Sequence, residues 1–332
     1  MRIVALEEHF TLPEFVAKID PSRIAERGFP TQKNAPAQIR IQEQLKDLGS
    51  ARLSSMDSAG ITVHVLSASG PGADLLDPAE SIPFARDYND ALARRVAEHP
   101  DRLAGFAHLP MPAPEAAADE LERAVTRLDF RGALINGVTC DLFLDDPSFE
   151  PILARAEQLD VPIYLHPNLP PRSVRKAYYD GLPGNTGFML SIAGWGWHAE
   201  TAVHVLRLVL SGALDRHPRL KIIIGHMGEG LPAMLARCDQ VFGPQVSYLQ
   251  RSVSRTITDQ VYVTTSGFFT LPPFMAALAT FGIDRLMFSI DYPYSSNKQG
   301  RTFLDSLTLA PEDIVKLAQG NADRLLKLQP VV

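Results

Sequence analysis

A chain of 332 residues, 45% hydrophobic and 21% charged, carries enough apolar content for a large core, which excludes a disordered protein and a mini-protein. Its net charge of −6, from 38 acidic and 32 basic side chains, builds no polyanion-binding surface and argues against nucleic acid as a partner. Two distant cysteines (Cys140, Cys238), a short acidic N-terminus (MRIVALEEHF) and no run of about 18 apolar residues predict a cytoplasmic protein with no membrane span, signal peptide or disulfide framework.

Along the chain, eight short apolar runs alternate with amphipathic stretches. The runs cover 2–7 (RIVALE), 61–67 (ITVHVLS), 103–109 (LAGFAHL), 132–136 (GALIN), 161–166 (VPIYLH), 220–226 (LKIIIGH), 261–265 (VYVTT) and 285–291 (RLMFSID). Most are apolar at successive positions, as strands buried on both faces are. Helical patterns lie between them, at 83–98, 114–128, 147–159, 200–214, 272–281 and 311–326, several opening on proline. Eight strand–helix units predict an α/β fold, a (β/α)8 TIM barrel that uses residues 1–332 as one domain. A doubly wound open sheet is the alternative, but no glycine-rich phosphate loop follows any run. The β1–β2 and β5–β6 connections are long, about 50 and about 32 residues, and loops of that length in compact barrels are commonly lids or binding loops.

Chemistry in a barrel sits at the carboxyl ends of the strands. There the first run ends in Glu7-Glu8-His9, the fifth in His166, the sixth in His226 and the eighth in Asp291. Strand alternation places Glu7 and His9 on one face and Glu8 on the other. Glu7, His9, His166 and Asp291 can therefore meet at one point. Ionisable groups gathered in a barrel mouth are costly unless paired or metal-bound. Their nitrogen and oxygen atoms suit one divalent metal ion, Zn²⁺ or Mn²⁺ with Mg²⁺ possible. His226 opens the element Gly225-His-Met-Gly-Glu229-Gly-Leu-Pro232. It is either a proton carrier oriented by Glu229 or a direct ligand, with Glu229 as a helix-capping acid the plainer alternative. Glu8 is expected to partner a buried donor.

These motifs, with Leu165-His166-Pro167, Phe288-Ser-Ile-Asp291-Tyr-Pro293 and Arg52-Leu-Ser-Ser-Met-Asp57, resemble the amidohydrolase superfamily. They are most similar to its metal-dependent, non-oxidative decarboxylases, such as those of γ-resorcylate, 2,3-dihydroxybenzoate and 5-carboxyvanillate. The resemblance implies Glu7, His9, His166 and Asp291 as metal ligands, and Asp291 and His226 as proton handlers. Hydrolytic members usually open with His-x-His, and many add a carboxylated lysine after the fourth strand. This chain has Glu7-x-His9 and Asn136 there.

The implied reaction is loss of CO2 from an ortho-hydroxybenzoate, so the expected partner is a small aromatic carboxylate, handled by a homo-oligomer (dimer or tetramer). Arg52 and Arg237 match arginines of the family's motifs and are candidates to hold an anionic substrate. Phe29, Trp195, Trp197 and Tyr292 are candidates to sandwich its ring. The segment 170–191 matches no substrate-specific pattern, and 294–299 lacks the acidic residue often found after the Asp-Tyr/Trp-Pro-Phe of the resorcylate enzymes. A metal-dependent hydrolase of a lactone, amide or ester is the main rival; a hydratase and a non-catalytic barrel are weaker ones.

Overall fold

The computed structural model describes residues 1–29 and 36–328; Pro30, in the first long connection, lies outside them. Eight parallel strands follow in chain order: β1 (Val4–Phe10), β2 (Val63–Ala68), β3 (Leu103–Gly105), β4 (Ala133–Asn136), β5 (Ile163–His166), β6 (Ile222–Ile224), β7 (Val261–Thr264) and β8 (Leu286–Met287). They pair as two arcs, β1-β2-β3 and β4 through β8. A bridge between Ala107 and Ala133 joins the arcs on one side. On the other side His9 N–H donates to Tyr292 O at 2.7 Å. The Glu8 carboxylate adds to that seam by accepting the N–H groups of Ile290 (2.9 Å) and Tyr292 (3.0 Å). Together these make the (β/α)8 barrel.

Two apolar clusters follow from strand alternation. Val4, Leu6, Val65, Phe106, Leu134, Tyr164, Ile223 and Met287 pack with Ala322, Leu325 and Leu326 of the helix Asn321–Leu326. This is the barrel interior with its floor. The larger cluster, including Ala5, Phe10, Ile135, Leu165, Ile224 and Val263, lies between strands and helices.

Three sequence expectations are corrected. All the ladders but β1 are shorter than the apolar runs; β8 has two residues, and 288–291 continues outside the strand ladder. The helix read from Pro83 begins at Pro78, because Asp77 and Glu80 form a capping box that sets the start five residues earlier and leaves Pro83 inside the helix. The stretch 311–326 is interrupted by a wide turn at Lys316–Gly320. There the Asn321 side chain donates to Ile283 O and Leu286 O, both at 2.7 Å.

The two long connections meet over the carboxyl ends of the strands. Arg27 Nη1 donates to Pro170 O (3.2 Å), and Arg175 donates to Pro170 O (3.1 Å) and Arg27 O (2.9 Å). Gly28, with φ +96°, allows this: a Cβ there would fall 2.0 Å from the Arg175 guanidinium.

Candidate metal and proton-transfer site

Glu7 and His9 reach the interior through a bulge. The β1–β2 register slips between Ala5 and Glu8, and Glu7 takes φ +51°. Leu6 faces the interior, and without the slip Glu7 would face outward. The extra residue turns Glu7 and His9 inward and sends Glu8 to the seam, a device typical of strands beside active sites. Positive φ also occurs at His226, Glu229, Ser266 and Asp291. Such strain persists only where the surroundings enforce it and clusters at functional sites.

Ligand atoms of Glu7, His9, His166 and Asp291 all lie within 4.8 Å of one another. His9 Nε2 is 3.3 Å from Asp291 Oδ1, and His166 Nε2 is 3.3 Å from Glu7 Oε1. Each imidazole is held by its other nitrogen. Nδ1 of His166 donates to Asn136 Oδ1 at 2.8 Å, and Nδ1 of His9 lies 3.2 Å from Ser67 Oγ. Both rings therefore turn Nε2 toward the centre. Tyr164 and Ser266 donate to Glu7 Oε2, while Glu7 Oε1 and His9 Nε2 are buried without a hydrogen-bond partner. Gly225 permits the carboxylate's position, since a Cβ there would fall 2.6 Å from Glu7 Oε2.

Electrostatics agree with a cation site. Burial pushes His9 down to about 4 and lowers His166, leaving neutral imidazoles with lone pairs to give. Burial works to raise Glu7, but His226 leads the opposing effects and holds the carboxylate ionised. Burial and the Glu7 charge raise Asp291. Orphaned buried donor atoms, neutral imidazoles and two carboxylates fit a divalent ion.

His226 Nε2 faces the same space, 3.6 Å from Glu7 Oε1 and 4.0 Å from Asp291 Oδ2. Its Nδ1 contacts Glu229 Oε1 at 2.8 Å, and Glu229 Oε2 contacts His198 Nδ1 at 2.6 Å. Both carboxylate oxygens go to imidazoles, so Glu229 orients side chains rather than capping a helix. Burial disfavours the charged ring, but Glu229 and Glu7 outweigh it and keep His226 protonated.

Two of the expected substrate contacts, Arg52 and Tyr292, are corrected. Arg52 is fully buried and donates from Nε to Asp47 O (2.8 Å) and from Nη2 to His9 O (2.6 Å), so two of its three nitrogens are held by backbone carbonyls while Nη1 has no partner. Tyr292 packs under that guanidinium, 4.8 Å from its ring centroid, away from the cluster. Arg237 is exposed on the helix Leu235–Phe242 and bonds Gln240 (2.8 Å). Trp195 is 58% exposed. Phe29 packs beside Gly70 in the loop after β2, and Trp197 is half-buried.

Sequence reasoning missed several residues at the mouth. Tyr294, not Tyr292, stands beside the cluster, its ring 5.7 Å from His9 and its hydroxyl 3.1 Å from Ser69 Oγ. The aromatic–Pro–aromatic spacing was the available signal. His198 carried none, as a lone histidine on a helix. Glu200 Oε1 is buried without a partner. Burial pushes this carboxyl up to about 7, Arg27 opposing and Asp141 adding to the rise. The folded state therefore holds the proton more tightly than the unfolded chain, and stability falls as pH rises from about 4.5 to about 7. Glu200→Gln is expected to remove that loss, raising Tm at pH 8 but not at pH 4; equal Tm values at pH 8 would contradict it.

The Amidohydrolase family profile matches residues 9–328. γ-Resorcylate decarboxylase of Rhizobium sp. (strain MTP-10005) is 38% identical over 339 residues, 98% of each chain. A crystal structure of 2,6-dihydroxybenzoate decarboxylase complexed with 2,6-dihydroxybenzoate superposes with a TM-score of 0.87 at 37% identity, over 99% of this chain and 100% of that one. Dihydroxybenzoic acid decarboxylase from Polaromonas sp. JS666, solved with bound manganese and the inhibitor 2-nitroresorcinol, gives 0.87 at 35% identity over 99% and 98%. The chain belongs to the amidohydrolase family, and within it to the non-oxidative hydroxybenzoate decarboxylases.

Proposed function

We propose that this protein converts an ortho-hydroxybenzoate, with 2,6-dihydroxybenzoate the first candidate, into CO2 and the corresponding phenol. Glu7, His9, His166 and Asp291 hold one divalent metal ion, for which Mn²⁺ is the first choice and Zn²⁺ the second. The observation that carries this reading is the convergence of those four ligand atoms within 4.8 Å, with His226 Nε2 facing the same space.

Direct loss of CO2 would leave an aryl anion. Protonating the ring carbon that bears the carboxylate, helped by electron release from the ortho oxygen, gives a dienone instead. The C–C electron pair then returns to the ring, CO2 leaves, and aromaticity is restored. One proton is consumed for each carboxylate lost. When bound, the ion supplies a Lewis acid and a template for the substrate's oxygens. Glu229 orients His226, His226 holds a proton beside Asp291, and these two side chains carry it to the ring carbon. Tyr294, in the loop after β8 and beside His9, is the first candidate to contact the ring, and Phe29, from the β1–β2 connection where it meets Gly70, is the second.

Glu7 in place of a histidine, and an Asn136 oxygen committed to His166, leave little to hold the second ion used by many hydrolases. Exposed Met234, Val241, Leu271 and Met275 support a homo-oligomer, which light scattering on the purified protein checks. The two free cysteines support a reducing, cytoplasmic setting, and no helix among the described residues is long and apolar enough to cross a membrane.

Metal removal tests the proposal. Dialysis against a chelator is expected to reduce CO2 release from 2,6-dihydroxybenzoate to background, and Mn²⁺ to restore it. Undiminished release from metal-free protein would sink the proposal.

A further inference from the structure

The mechanism leaves a third buried imidazole beside His226 without a task. His198 stands in the first turn of the helix Gly196–Leu210 and is 8% exposed. Its Nδ1 lies 2.6 Å from Glu229 Oε2, and its Nε2 lies 3.1 Å from the carbonyl oxygen of Ala193, in the β5–β6 connection. The other Glu229 oxygen meets His226 Nδ1 at 2.8 Å. The two imidazoles meet edge to face at 4.7 Å, and both pack on Phe268, at 5.1 and 5.5 Å.

Both nitrogens of His198 thus face acceptor oxygens, and the ring is fixed at both ends. This arrangement pins Glu229 Oε2. The remaining oxygen is then aimed at His226 Nδ1, which must carry its hydrogen there and leave Nε2 toward Glu7 and Asp291. The three groups bond one another directly, instead of standing around a common centre as metal ligands do.

We propose that His198 is a positioning residue for proton transfer, fixing the orientation of His226 through Glu229 and tying that alignment to the β5–β6 connection through Ala193. The proposal rests on the decarboxylase reading for its kinetic arm only. In the metal-loaded enzyme acting on 2,6-dihydroxybenzoate, His198→Phe is expected to lower kcat by about 10- to 100-fold. KM should stay within about threefold, as expected when only transition-state interactions are lost, and metal content should not change. His198→Gln, which keeps an amide donor for Glu229, should recover much of the loss. The double variant with Glu229→Gln should be no slower than Glu229→Gln alone, because both changes break one chain of contacts.

Nitrogen-15 NMR of histidine-labelled protein gives a readout free of turnover. The Nδ1–H of His226 should report a fixed hydrogen bond in the wild type and lose it in His198→Phe, or in His198→Leu should the phenylalanine variant not fold. Multiplicative losses in the double variant, wild-type kcat in His198→Phe, or an unchanged His226 spectrum would each overturn the proposal. A wild-type enzyme that leaves 2,6-dihydroxybenzoate intact would defeat the substrate reading instead, and the NMR arm would still decide the role of His198.

Discussion

Asp291→Asn is expected to leave the protein folded and at least partly metal-loaded while lowering turnover by about 10²- to 10⁴-fold, the usual loss when a positioned proton-transfer group is removed. The amide keeps an oxygen for the ion and nearly the same volume, so the barrel mouth stays filled. What it loses is the ability to carry a proton. Asp291 Oδ1 faces His9, and Oδ2 faces His226, so one carboxylate joins the proposed ligand set to the proposed proton donor. Burial and the nearby Glu7 raise its pKa, with His226 opposing, which suits a group that takes and gives a proton. Metal analysis beside CO2 release checks both halves. Unchanged turnover would remove Asp291 from the mechanism, and complete loss of metal would reduce it to a ligand.

Arg52→Met is expected to cost roughly 3 kcal/mol or more of stability, because it orphans buried carbonyls and removes a cation from a site built around it. Arg52 is fully buried, joins Asp47 O to His9 O, and lies over the Tyr292 ring. Burial pushes its pKa down to about 10, with Tyr292 and Glu8 opposing, so it stays charged at neutral pH. One of its acceptors is the backbone of a proposed metal ligand, so a secondary loss of metal affinity should accompany the lower Tm. Urea unfolding with a metal titration measures both. A variant of wild-type stability whose only defect is a raised KM would restore Arg52 as a substrate contact.

The cluster of Glu7, His9, His166 and Asp291 could be reached from sequence because strand ends are marked by polar residues closing apolar runs, and the barrel fixes which end is reactive. Even so, strict alternation placed Glu7 and His9 correctly for an incomplete reason. The bulge after Ala5, which no residue pattern announces, is what turns them inward. Arg52 was misjudged because its partners are main-chain carbonyls, and a sequence does not display which carbonyls lack a donor. Tyr292 and Tyr294 differ only in which side of the chain they occupy after β8, a local turn that one proline between two aromatics does not decide. His198 is brought to Glu229 by tertiary packing across 31 positions, beyond the reach of any local motif.

The central claim is that the metal-loaded protein breaks a carbon–carbon bond rather than hydrolysing an ester or amide. The most direct measurement incubates the manganese-loaded enzyme with 2,6-dihydroxybenzoate, related ortho-hydroxybenzoates and a set of lactones, following CO2 and ring products together. The structure predicts equimolar CO2 and phenol from at least one hydroxybenzoate and none from its analogue lacking the ortho hydroxyl. Intact hydroxybenzoates beside opened lactones would contradict it.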